Sequence, residues 1–467
     1  MTPHSLSDRS PIRNARETDA RLQAFTILQR LESGRITLDD LLSRSTEDFS
    51  AMSEPDRSLA YALIYGVLRW RERLDWMIGR FSNRAFRRID PLALHALRMG
   101  LFQIVFLDRI PPSAAVNTSV SLVKSSQKPW LSGFVNALLR RAAREAGKLA
   151  LPDPAKDPVE AISVAGSCPR WLVRRWIDRF GEEETGRLCE AINTVPPLTV
   201  RVNTLKTDRD RLLEAMIADA DVLRPARYAP EGLCLRGLKK PVDGLSGFAE
   251  GWFQVQDEAA QLVGCLLDPR PGETVLDVCA GLGGKTGHIA QRMENRGTVV
   301  AADKNRAKLT RLKTEMDRLG VSVVQTCQAD LERSLGHLTE RTFQRVLLDA
   351  PCSGLGVLRR NPDAKWAADP KRLSAFARRQ RLFLNQAASL VAPGGILVYA
   401  VCSMEPEETV GVADPFLLER PDFIVEAGAK TLPDPTAHMV SEKGDLRTFP
   451  HRDDMDGFFA IRFRRLP

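Results

Sequence analysis

What is missing narrows the reading first. No stretch of the 467-residue chain stays apolar for the length a bilayer crossing needs, and charges interrupt the N-terminus where a signal peptide would be apolar. The expectation is a cytoplasmic protein with reduced thiols and no membrane partner. The eight cysteines, at 168, 189, 234, 265, 279, 327, 352 and 402, form no CxxC pair and no Cys/His cluster at metal-ligand spacing, so no metal is expected. A phosphate-binding loop of the GxxxxGK[ST] type ending at Lys285 and Thr286 is excluded, because Cys279 stands where it needs glycine. Neither disorder nor a disulfide-stapled miniature fits a chain with 43% hydrophobic and 27% charged residues.

What is there begins with charge. The net charge is +8, and residues 1–150 carry 23 Lys+Arg against 15 Asp+Glu, which accounts for the whole surplus. Arginine supplies most of it (Arg69, Arg71, Arg73, Arg84, Arg87, Arg88), and its planar fork of donors suits phosphate. A merely solvated set of helix faces is the alternative.

The chain length implies several domains. Residues 1–18 read as a disordered tail. Residues 19–148 form an all-α domain, with helical periodicity over 20–34, 57–81, 91–107 and 131–145. Residues 149–250 form a linker, covering 149–165 where three prolines cluster, and then a small mixed α/β connector with a helix over 169–181 and a strand over 197–206. Residues 251–467 alternate short apolar strands with amphipathic helices, the pattern of a parallel, doubly wound Rossmann-like sheet, and the final strand (457–465) is a candidate for antiparallel pairing.

Ligands of such sheets lie beyond the carboxyl ends of the strands. VLDVCAGLGGKTGHIA (275–290) is a strand, a glycine-rich turn and a helix start, which brings backbone N–H groups to a ligand. Alone it fits a nicotinamide dinucleotide as well as other nucleoside cofactors, with Asp303 at the end of the next strand placed to hold ribose hydroxyls, and a turn without ligand is the plain alternative. LLDAPCSGLG (347–356) then puts Asp349 and Cys352 at a strand's carboxyl end, and YAVCSMEPEE (399–408) puts Cys402 at the end of the following strand. Thiols at the ends of strands about 5 Å apart can reach one substrate region. That chemistry suits a pyrimidine: a thiolate added at C6 of cytosine makes C5 nucleophilic toward a sulfonium methyl, a carboxyl near N3 stabilises the adduct, and a base removes the C5 proton.

At these residues the chain resembles the RNA 5-methylcytosine methyltransferase family, in its RsmB (Sun) type. The resemblance runs over nearly the whole chain, through GVLRWRERLDW and GFVNALLRR, TVRVNTLK, FQVQDEAAQL and DGFFAIRFRR. It implies a NusB-like helical RNA-binding domain and an S-adenosyl-L-methionine site at Cys279, Ala280, Gly281, Leu282, Gly283, Gly284, Lys285, Asp303, Asp330 and Asp349. It further implies Cys402 as nucleophile and Cys352 as the cysteine that helps release the product; Asp349, from its place at the strand end, is the candidate carboxyl near N3. The implied partner is ribosomal RNA, 16S rRNA, free or in an early assembly intermediate, acted on by a monomer. Three positions depart from the family pattern: AGLGGK (280–285) for AAPGGK, VCS (401–403) for TCS, and EET (407–409) for EEN. Leu282 in place of proline is expected to loosen the turn. A catalytically silent RNA-binding or antitermination-like factor on the same scaffold is the rival, and the intact Cys352, Cys402 and Asp349 count against it.

Overall fold

A computed structural model describes residues 19–32, 34, 36–333, 335–427 and 431–467; the expected tail, residues 1–18, lies outside them. The chain divides into two compact units, one of Met1–Asn193 with Asn361–Ala367, the other of Thr194–Arg360 with Ala368–Pro467.

The first unit is helical. Helices Ala20–Leu31, Pro91–Phe106 and Ser132–Glu145 fall where the periodicity predicts them, and their apolar faces (Phe25, Leu97, Leu101, Leu139 and neighbours) close one core. The expected segment 57–81 is two helices, Glu54–Arg69 and Arg71–Phe81, broken at Trp70. The break is held from afar: the Ser167 hydroxyl oxygen accepts the freed N–H groups of Glu72 (3.0 Å) and Arg73 (3.3 Å) at the second helix's start. Leu38–Arg44 and Pro112–Lys124 are further helices that the apolar periodicity does not single out. The linker reading of 149–165 holds only as far as Asp157, whose side chain accepts from the N–H of Glu160 and caps a helix over Pro158–Ala165. Helices Arg170–Phe180 and Glu182–Ile192 follow in the same compact unit. Seven downstream residues, Asn361–Ala367, complete it. Among them Lys365 is buried, its ammonium donating to the carbonyls of Arg69 (2.9 Å) and Ser167 (3.0 Å) and to Asn193 Oδ1 (2.9 Å).

The second unit holds two sheets. The smaller contains β1 (Leu198–Val202), β2 (Ala220–Pro225), β3 (Gly232–Leu238) and β4 (Phe253–Val255), in the order β2-β3-β1-β4, with antiparallel pairing throughout. The larger has β5 (Thr274–Val278), β6 (Thr298–Asp303), β7 (Val324–Gln328), β8 (Phe343–Asp349), β9 (Val391–Val401), β10 (Phe423–Val425), β11 (Leu446–Thr448) and β12 (Phe458–Arg465). Its order is β10-β12-β9-β8-β5-β6-β7, with β11 paired to β12. Strands β5 to β9 pair in parallel, and β12 runs antiparallel to β9, which fits the sequence expectation for the last strand. Strands buried on both faces explain their unbroken apolar runs: Val346, Leu347 and Leu348 of β8 are fully enclosed, as are Leu397 to Val401 of β9. Helices Gly284–Arg292, Arg306–Leu319 and Pro370–Ser389 are the crossovers. Strand order reverses at β5, between β6 and β8, so the crevice opens beyond the carboxyl ends of those strands. No helix among the described residues is long and apolar enough to cross a membrane.

Candidate active site

The glycine turn after β5 is bent by backbone that few side chains tolerate. Cys279, Gly281 and Gly283 all have positive φ (67°, 59° and 87°). Gly283 has no alternative, since a Cβ there would stand 2.7 Å from Leu312 Cγ. The turn is pinned by Gly283 N–H to the Ala280 carbonyl (3.0 Å), Ala280 N–H to the Ala302 carbonyl (2.9 Å), and Gly281 N–H to Asp303 Oδ2 (3.0 Å). Helix Gly284–Arg292 starts directly from it without a side-chain cap, which leaves its first N–H groups at the turn. Leu282 stands outward, 47% exposed.

From below, the turn is braced by two buried groups that sequence reasoning missed. Arg201 of β1 is enclosed and donates to Gly284 O (2.9 Å), Gln254 Oε1 (2.8 Å), Gln291 Oε1 (3.2 Å) and Gln256 Oε1. Burial pulls its guanidinium down to about 9. Asp277 of β5 accepts from the Thr286 hydroxyl (2.6 Å), and burial, reinforced by the charges of Asp349 and Asp303, raises it to about 7.

Beyond β8 the chain runs through Pro351, Cys352 and Ser353, and Gly354 at φ 72° turns it. Asp349 of β8 pairs in parallel register with Ala400 of β9, two residues before Cys402. The two thiols accordingly meet, with Sγ of Cys352 3.2 Å from Sγ of Cys402. Their loops are stapled by Gly356 N–H to the Cys402 carbonyl (3.0 Å), and a Cβ on Gly356 would lie 1.8 Å from the Gly457 carbonyl oxygen. The Cys352 thiol is pushed well above its ordinary value, first by its hydrogen bond to Cys402 and then by burial and the charges of Cys402 and Glu408. The Lys285 ammonium donates to Asp349 Oδ2 at 2.6 Å and stands 5.2 Å from the Phe458 ring centroid. Burial opposes its charge, but Asp349, with Cys402 and Asp277 nearby, raises it above the ordinary range.

A cavity of about 430 Å³ joins these features. Of the expected cofactor residues it is lined by Cys279, Gly281, Asp303, Asp330 and Asp349, and it is lined by both catalytic candidates, Cys352 and Cys402. Ala280, Leu282, Gly283, Gly284 and Lys285 shape the turn or reach Asp349 without lining it. Lys304, Asn305, Lys308, Arg379 and Phe383 also line it, and sequence reasoning singled out none of them. A signal existed for the first three, which follow Asp303 directly. Arg379 and Phe383 come from a helix whose polar-apolar pattern says only that it is amphipathic.

A switch-point crevice with a glycine turn, a carboxylate at the end of β6 and paired thiols beyond β8 and β9 defines a Rossmann-like methyltransferase domain, carried here with a helical domain and a small antiparallel sheet. Family models match each part: "16S rRNA methyltransferase RsmB/F" over residues 264–464, "NusB family" over 18–144, and "Methyltr_RsmF/B-like, ferredoxin-like domain" over 168–243. The chain is 35% identical to the "Probable ribosomal RNA small subunit methyltransferase B" of Bacillus subtilis (strain 168), covering 96% of this chain and 99% of that one. It is 36% identical to the "Ribosomal RNA small subunit methyltransferase B" of Pseudomonas putida, over 88% and 92%. Among solved structures, that of PH0851 superposes with a TM-score of 0.79 at 26% identity, over 96% of this chain and 98% of that one. A methyltransferase homologue from Pyrococcus horikoshii superposes at 0.56 with 27% identity, over 68% and 100%. The chain belongs to the RsmB/F family of 16S rRNA methyltransferases.

Proposed function

We propose that this protein methylates C5 of a cytosine in 16S rRNA with S-adenosyl-L-methionine, through a covalent Cys402 adduct at C6 of the base. The observation that carries this reading is the pair of thiols 3.2 Å apart, in one cavity with Asp349 and the glycine turn. The cavity's chemistry fits the cofactor: the helix start after the turn, which has no side-chain cap, offers N–H groups that suit a carboxylate or ribose oxygen, and Asp303 and Asp330 are acceptors for ribose hydroxyls. The cofactor supplies an electrophilic methyl on a sulfonium centre.

The two cysteines divide the work by their surroundings. Cys352 is held as a thiol by its hydrogen bond to Cys402, by burial and by the nearby Glu408, which leaves the attack to Cys402. The Cys402 sulfur donates an electron pair to C6, and the C5–C6 π electrons move toward N3. Asp349, hydrogen-bonded to Lys285, shares a proton with N3 and stabilises that adduct. C5 would then bond to the cofactor's methyl while the C–S electron pair stays on sulfur, leaving S-adenosyl-L-homocysteine, and N3 returns the shared proton to Asp349. A base removes the C5 proton, its electron pair reforms the C5–C6 double bond, and the Cys402 thiolate leaves. Cys352, in contact with Cys402, is placed to serve this last stage. The base reaches such a crevice by leaving its stack, and the arginine-rich residues 1–150 supply phosphate contacts.

Trapping on 5-fluorocytosine RNA tests the assignment, because fluorine at C5 blocks proton removal and preserves the adduct. Cys402→Ala is expected to form none while cofactor binding persists. Cys352→Ala is expected to attack and release slowly. An adduct formed by Cys402→Ala would contradict the assignment.

A further inference from the structure

Behind the two cysteine loops lies a carboxylate that the chemistry above does not use. Glu408 is fully buried and is not part of the cavity wall. Its Oε1 accepts from Ser353 N–H (2.8 Å) and Gln380 Nε2 (3.1 Å), and its Oε2 accepts from the hydroxyls of Ser353 (2.5 Å) and Ser403 (2.6 Å). Ser353 follows Cys352 in sequence and Ser403 follows Cys402. Gln380 donates also to the carbonyl of Pro351 (3.0 Å), so the residues on both sides of Cys352 are tied to one centre. The Glu408 backbone is fixed separately, its carbonyl accepting from the Tyr399 hydroxyl (2.7 Å). All four donors to the carboxylate are neutral. A buried charge satisfied only by neutral donors is costly compared with an apolar filling, so its presence points to geometry rather than stability.

We infer that Glu408 is a positioning residue for methyl transfer: its carboxylate clamps the loops bearing Cys352 and Cys402 together so that both thiols address one base. The inference rests on the cysteine chemistry proposed above and adds a residue to it. Each oxygen has a separate task. Oε2 bridges the two loops through Ser353 and Ser403, and Oε1 fixes the Cys352 loop against the helix that carries Gln380. A glutamine keeps the size and one acceptor oxygen, but its amide donates where Oε2 accepts, so the Ser353 and Ser403 hydroxyls must turn round to accept and the charge-assisted bonds that draw the two loops together become weaker neutral ones. Misplacing a reacting group by about 1 Å costs on the order of a hundredfold in rate.

The test compares the full-length parent with Glu408→Gln on rRNA and on 5-fluorocytosine RNA. Adduct in the parent, with kcat of the variant down by about tenfold or more and its KM for RNA and cofactor affinity within twofold, is the expected result. A folded variant with unchanged kcat overturns the inference while leaving the cysteine chemistry standing. A loss that falls equally on KM and cofactor affinity also overturns it, because the residue would then only support the fold. If Glu408→Gln does not fold, Ser353→Ala removes one bond of the clamp and is measured in the same way; a reduced kcat at unchanged KM supports the clamp, and parental kcat refutes it. No adduct in the parent overturns the underlying reading and the inference with it.

Discussion

Asp277→Asn is expected to stabilise the protein at alkaline pH and to have almost no effect at acid pH. Asp277 sits at the end of β5 beneath the glycine turn, with Oδ2 bonded to Thr286 and Oδ1 buried without a partner. Burial, with Asp349 and Asp303 nearby, raises it from the ordinary 3.8 to about 7. The folded protein therefore binds this proton more tightly than the unfolded chain does. Stability from this group is complete below about pH 4 and is lost as pH rises toward 7. At ~1.4 kcal/mol per pH unit the interval corresponds to about 4 kcal/mol at most. Asparagine copies the neutral form, keeps the acceptor for Thr286 and has no charge to bury. At about 2–4 °C per kcal/mol for a domain of this size, the second unit of the variant should melt up to roughly 10 °C above the parent at pH 8.5. The gap should close toward pH 4.5. Asp456, which burial also raises to about 7, titrates in the same window, but it is common to both proteins and cancels in the difference. Melting of both proteins from pH 4.5 to 8.5 is the assay. A difference that does not vary with pH, or a variant less stable at pH 8.5 than at 4.5 relative to the parent, would refute the reasoning.

Asp303→Ala removes the acceptor of Gly281 N–H and an expected acceptor of ribose hydroxyls. It should weaken S-adenosyl-L-methionine by about ten- to a hundredfold in calorimetry, and an unchanged affinity would contradict its role. Replacing several of Arg84, Arg87, Arg88 and Arg109 should weaken RNA binding broadly and flatten its salt dependence by roughly 0.7–0.9 for each phosphate no longer neutralised, with cofactor affinity intact; equal slopes would make this basic face a solvated surface.

The parts of this molecule that were legible in its sequence follow local rules. Strands β5, β6, β8 and β9 announced themselves as short apolar runs because both faces of a parallel sheet are covered, and the pairing of Cys352 with Cys402 followed from two motifs ending consecutive strands. What escaped depends on partners far apart in the chain. The break at Trp70 lies inside a continuous apolar periodicity and is stabilised by Ser167, some ninety residues on. Arg201 looks like the polar half of an alternating strand, yet that alternation holds a charge buried against the Gly284 carbonyl. Lys365 reads as a surface lysine and is enclosed in the helical unit. Glu408 is one of two adjacent glutamates, and only the folded chain tells them apart.

Which base and which atom receive the methyl is decided by mapping 5-methylcytosine in the 16S rRNA of a strain lacking this protein, beside the same strain carrying the parent gene or its Cys402→Ala form. One cytosine should lose its C5 methyl in the deletion, regain it with the parent and remain unmethylated with Cys402→Ala. An unchanged 5-methylcytosine map, or full restoration by Cys402→Ala, would contradict the account.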